Sequence, residues 1–189
     1  MMRQRQSGGS LIETLVAVTL GIAFMSGTMF SFNHYRLMNK AAREGEILAE
    51  AALALDAYLK MHGLSIVKNG NAPGFPLPLQ PTAEQLKAAD FLPRYTPLRT
   101  PFDGSLQFTI RKGARNDLFG LVCDTQAITH AGDPSPQLAG AVVMAAGGAG
   151  LRTSIATPGV LNGPAHTGVA SPIVGPSIVC AWAYLASPI

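Results

Sequence analysis

Charge is scarce in this chain. Asp, Glu, Lys and Arg make up only 13% of its residues and the net charge is +3, so there is neither an acidic tail nor a basic tract. A disordered, solvating segment needs a higher charge density than this. A duplex-binding surface needs clustered Lys and Arg, and beyond Lys40 and Arg43 the basic residues are scattered. Nucleic acid is therefore not an expected partner. The spacings of catalytic and metal sites are also missing. His34, His62, His130 and His166 are dispersed, and there is no H-x-x-x-H or C-x-x-C. The Gly-Gly-Ala-Gly run at 147–150 lacks the Lys-Ser/Thr of a phosphate loop, and Ser177 in "GPSIV" lacks the second glycine of a nucleophile elbow. No catalytic residue, metal or cofactor is expected, and the chain reads as a non-enzyme. Aromatics are few, at 7%; Trp182 and Tyr184 read as core or sheet-face residues rather than as a ligand platform.

What the chain does have is 20 Gly, 14 Pro and a long apolar run near its start. If the first fifty or so residues form a helix of their own, roughly 130 to 140 remain, the size of one domain. From Thr14 to Phe32 there is no charged residue. A helix of that length rises roughly 28 Å, close to the hydrocarbon thickness of a bilayer. The run predicts a membrane span over about 11–32, with Arg3 and Arg5 on the cytoplasmic side and the C-terminal bulk beyond it. A signal peptide is the alternative, but its apolar core is usually about 7 to 15 residues and ends in a small-x-small cleavage site.

Glu13 stands at the head of this run. An ionised carboxylate in hydrocarbon is costly unless paired, which makes it a functional candidate. A cut after Gly8 would free the α-amino group of Gly9 about one helical turn before Glu13, within reach of Glu13 on the same or a neighbouring chain. The alternative is a carboxylate that snorkels to the headgroups.

The stretch "SGGSLIETLVAVTLGIAF" resembles the N-terminal signature of type IV pilins and pseudopilins: a short basic leader ending in glycine, a cut site, and a Ser-Leu-Ile-Glu tract opening an apolar helix. The resemblance covers about a fifth of the chain. It implies a leader over 1–8, cleavage by prepilin peptidase between Gly8 and Gly9, N-methylation of Gly9, and Glu13 setting subunit register in a filament. Gly9 stands where the family usually has Phe or Met, which leaves a cut between Gly9 and Ser10 as the alternative. No proline interrupts the helix. The implied partners are other pilin subunits, the peptidase and the inner-membrane assembly machinery.

Further along, Ala41, Gly45, Leu48, Ala52, Leu55 and Leu59 recur at helical spacing, with Lys40, Arg43, Glu44, Glu46, Glu50, Asp56 and Lys60 mostly off that stripe. This predicts an amphipathic half of one long helix over 9–63, capped by Gly63. The breaker-rich "KNGNAPGFPLPLQP" is a loop. "PTAEQLKAADFLP" predicts a short helix with Thr82 and Gln85 as a capping box and Pro93 as its end. Alternation of Leu106, Phe108 and Ile110 with polar residues predicts a strand, paired through "KGARND" with "LFGLVCDTQAI". "SPQLAGAVVMAAGGAG" reads as a helix stopped by Gly147-Gly148 and "SIVCAWAYLA" as a last strand. The order of these elements resembles the pilin-like part of minor tip pilins of type IVb and conjugative pili.

Cys123 and Cys180 both fall in apolar strand-like runs of a head placed outside the cytoplasm, where disulfides persist. They are expected to pair, two separate buried thiols being the alternative. The expected fold is thus α+β and pilin-like: a long N-terminal helix, half membrane-spanning and half amphipathic, packed on a small antiparallel-sheet head over 64–189. The expected function is that of a structural minor pilin-like subunit of a type IV pilus or related filament. It would be held in the inner membrane with a periplasmic head before assembly and then lie in an extracellular pilus or periplasmic pseudopilus. A pilus-tip adhesin or uptake module and a pseudopilin of a type II secretion system are the alternatives.

Overall fold

The computed structural model describes residues 9–113 and 117–185, and the side chains within them except at 9–13, 23–30 and 185. The chain divides between Leu37 and Met38 into two compact units. One helix, α1 (Gly9–Asn69), contributes residues to both.

In the first unit α1 carries apolar side chains interrupted by Thr14, Thr19 and Gly21, and from Ser31 onward it acquires Asn33, His34 and Arg36. Among the described residues no helix is long and apolar enough to cross a membrane. This overturns the membrane-spanning half expected over about 11–32, and with it the inner-membrane anchoring and the placement of the head that followed from it. The architecture is α+β around a six-stranded antiparallel sheet, without that half.

In the second unit α1 runs past Gly63, which lies buried inside the helix, and ends at Asn69. Gly70, with φ +69°, closes it by donating its N–H to the Ile66 carbonyl at 3.1 Å. Gly63 is thus not the cap, because the left-handed residue that ends the helix stands seven positions later. Around the exit, Tyr58, His62, Phe75 and Phe91 form an aromatic cluster, and the Tyr58 hydroxyl donates to the Pro78 carbonyl at 2.9 Å. Burial lowers the His62 pKa there.

The short helix α2 (Ala83–Ala88) has the expected reciprocal cap. Gln85 N–H donates to the Thr82 hydroxyl, and Thr82 N–H to the Gln85 side chain. It stops before Pro93, where Asp90 turns left-handed at φ +56°. β1 (Leu106–Lys112) and β2 (Leu118–Asp124) pair as an antiparallel hairpin with Leu106 opposite Asp124 and Lys112 opposite Leu118. Gly113 N–H donates to the Asp117 carbonyl at the base of its turn. A small ribbon, β3 (Thr129–His130) with β4 (Asp133–Pro134), leads to α3 (Pro136–Ala145), whose N-cap is Ser135. A 3-10 turn at Gly147–Ala149 follows, then β5 (Gly150–Thr153), β6 (Val160–Asn162), β7 (Val169–Ala170) and β8 (Val179–Leu185). The sheet order is β1-β2-β8-β5-β6-β7, so the last strand lies at the centre, paired to β2 on one side and β5 on the other.

Residues directly opposite in an antiparallel ladder share a face. On the α1 side these are Phe108 with Val122, Ile110 with Gly120, and Gly120 with Ala183. A Cβ at Gly120 would lie 2.4 Å from Leu55 Cδ2, and one at Gly45 2.4 Å from the Val142 carbonyl of α3. Small residues are what let α1 approach both the sheet and α3. The other face holds a second core of Leu121, Cys123, Leu151, Leu161, Ile178 and Cys180, with Trp182, Val169 and Ile173 against it. Chain 154–178, with its short strands β6 and β7, supplies Leu161, Val169, Ile173 and Ile178 to this layer.

Candidate functional site

The expected processing site falls at the edge of what is described. Gly8 lies outside the described residues; Gly9 is the first residue of α1. Glu13 is on the helix, with its side chain outside the described residues, so its pairing is not part of the geometry. Immediately after it, Leu15, Val16, Val18 and Leu20 are 49–65% exposed. At about 100° per residue they spread over more than half of the helix circumference. The Thr19 hydroxyl turns back onto the Leu15 and Val16 carbonyls, 2.9 Å from each, which satisfies it within the helix and keeps this surface apolar. Farther along, the Arg36 guanidinium sits 5.7 Å from the centre of the Phe32 ring.

In the head, Cys123 and Cys180 stand directly opposite each other on β2 and β8 and are joined by a disulfide, both sulfurs buried in the second core. The 57-residue separation gives a stabilisation of about 4 kcal/mol in the chain-entropy model. The indole of Trp182, two residues on, stacks between the rings of Phe119, 5.0 Å away, and His166, 4.6 Å away. It is a half-buried sheet-face residue.

A cluster that the sequence reading missed lies where α1 meets the head. Glu44, counted there among the charged residues off the apolar stripe, is 0% exposed. Neither of its carboxyl oxygens meets a donor in full hydrogen-bonding geometry. It faces Asp124, the last residue of β2, also 0% exposed. Asp124 is well served by comparison. Its Oδ2 accepts from the Thr100 hydroxyl at 2.6 Å and its Oδ1 from Gln126 N–H at 2.8 Å, while Gly104 N–H donates to the Thr100 oxygen at 3.1 Å. Gly104 is required by space, since a Cβ there would lie 1.6 Å from Asp124 Oδ1.

Burial first, and the charge of Asp124 second, push the Glu44 carboxyl up to about 8, with the Phe102 backbone and the Thr100 hydroxyl pulling the other way. Burial raises Asp124 too, opposed by the Gln126 and Thr100 donors. The signal for Glu44 was in the pattern: it stands three residues after Ala41 and four before Leu48, on the stripe itself. Its burial corrects its assignment to the polar side.

On the solvent side of the same helix, Glu50 accepts from the Tyr95 hydroxyl at 2.7 Å and the Thr96 hydroxyl at 2.9 Å, beside a cleft bordered by Arg43, Glu46 and Pro97. Glu50 raises the Tyr95 pKa. Ser177 is buried at φ +56° where the chain turns into β8. Among the described residues no group of three or more His, Cys, Asp and Glu side chains is placed to hold a metal ion. No family model matches the chain, and neither a curated protein nor a solved structure matches it.

Proposed function

We propose that this protein is a structural, minor pilin-like subunit of a type IV pilus or related filament, cut by prepilin peptidase after Gly8 and packed against like subunits through the first turns of α1. The observation that carries this reading is the exposure of Leu15, Val16, Val18 and Leu20 around more than half of one helix. A helix apolar over so much of its surface is stable in water only when something covers it, and the same turns of neighbouring copies fit that surface chemically. The glycine-to-glutamate spacing of Gly8 and Glu13 supports the same reading. Glu13 would then pair with a neighbour's new amino terminus and set register, while the disulfide-stapled head stays folded.

Mass spectrometry of the assembled protein tests the processing step: the chain should begin at a methylated Gly9. Val18→Glu should leave the head folded and exclude the chain from filaments, and Glu13→Ala should impair entry. Filaments that contain the intact leader, or that take up Val18→Glu as readily as wild type, would overturn the reading.

A further inference from the structure

We propose that Glu44 and Asp124 hold a single proton between two buried carboxyls and act as a latch, closed in acid and opened in alkali, that ties α1 to the 99–105 loop and to the end of β2. Three geometric facts lead there. Both side chains are fully buried and face each other. Asp124 already accepts two hydrogen bonds, from Thr100 and Gln126, and so is held as the acceptor. Neither Glu44 oxygen meets a donor in full hydrogen-bonding geometry, the Phe102 backbone and the Thr100 hydroxyl opposing the rise in its pKa less than burial and Asp124 drive it, which is the arrangement of a carboxylic acid that itself donates.

Two charged carboxylates would repel across a site of low dielectric, and one proton removes that conflict. The neighbouring charges do not replace it. On α1, Lys40 lies one turn before Glu44, but its ammonium sits over the Phe102 ring, 4.6 Å from the centroid. Arg43 and Glu46 border the cleft beside Glu50. On the loop, Arg99 and Asp103 are exposed. From α3, the contacts against Gly45 are made by Val142, Ala145 and Ala146, none of them charged. Among the described residues neither Glu44 nor Asp124 makes an ion pair.

The latch has mechanical content because Asp124 is tied to the loop through Thr100, and Thr100 to Gly104 through two bonds, Gly104 N–H to its hydroxyl and its own N–H to the Gly104 carbonyl. Loss of the proton therefore acts on the loop as well as on the helix.

The sign follows from Glu44. Its folded-state pKa, about 8, lies above the ordinary 4.5, so its stabilisation is complete below about 4.5 and is lost as the pH rises through about 8. The proposal stands apart from filament assembly, since it concerns the fold of the head. The test is urea unfolding of the full chain from about pH 5 to about pH 9, wild type beside Glu44→Gln. The unfolding constant of the wild type should rise, relative to the variant, by up to about tenfold per pH unit over that range.

Infrared spectroscopy supplies the second readout and needs no variant. The wild type should show a protonated-carboxyl C=O band at neutral pH that disappears in alkali; where Glu44→Gln folds, it should lack that band. Thr100→Val, which removes a donor to the Asp124 carboxylate, should move the disappearance to higher pH. Absence of the band at neutral pH, or parallel unfolding profiles for wild type and Glu44→Gln, would overturn the proposal. So would stabilisation by millimolar calcium that depends on Glu44, which would make the pair a cation site.

Discussion

Two stretches of the same helix meet opposite fates. Turns 14–22 and turns 41–59 are both rich in aliphatic residues, yet Leu15, Val18 and Leu20 are exposed whereas Leu48, Leu55 and Leu59 are fully buried. Distribution separates them. In the second stretch the apolar residues follow one stripe and alternate with Ala41, Gly45, Ala51 and Ala52, small enough to admit the sheet and α3 at close range. In the first they run round much of the helix, and the described side chains of 14–22 are exposed. Burial within one chain thus needs a complementary surface as well as apolar side chains.

The largest expected effect tests the buried side of this comparison. Cys180→Ser should cost the head about 4 kcal/mol in urea denaturation followed by Trp182 fluorescence. It should leave processing at Gly8 unaffected. Leu55→Ala should cost about 3 kcal/mol by leaving a cavity between α1 and β2, whereas Val18→Ala should change stability by less than about 0.5 kcal/mol and act on assembly instead. Equal destabilisation by the two would break the comparison, because it would mean that turns 14–22 are covered within the chain. Gly120→Ala should cost roughly 1 to 2 kcal/mol by pushing against Leu55, readable as a lower denaturation midpoint. Thr82→Ala, far from both stretches, should cost about 1 kcal/mol through loss of the α2 cap.

Much of the head was legible because its signals are local. Thr82 and Gln85 cap α2 as their spacing predicts, and the alternation of Leu106, Phe108 and Ile110 is the buried face of β1. Ser135 and Gly147 bracket α3 with its 3-10 turn. The Cys123–Cys180 bond was also anticipated, though its position directly across β2 and β8 was not. Short strands β6 and β7 escaped because a run of two or three residues has too few positions for a period to show. The membrane span was expected from the length of a run without charge, and among the described residues no helix is long and apolar enough to cross a membrane.

By itself the sequence determined where α2, β1, β2, α3 and β8 lie, and that a glycine and a glutamate flank the opening of α1, since caps, breakers and periodicity act between residues a few positions apart. Tertiary structure alone decided that the last strand lies at the centre of the sheet, that Gly70 rather than Gly63 ends α1, and that Glu44 closes on Asp124 instead of facing water. These outcomes depend on which distant segments meet. A carboxylate eighty positions from its partner carries no local sign of the burial that will raise its affinity for a proton.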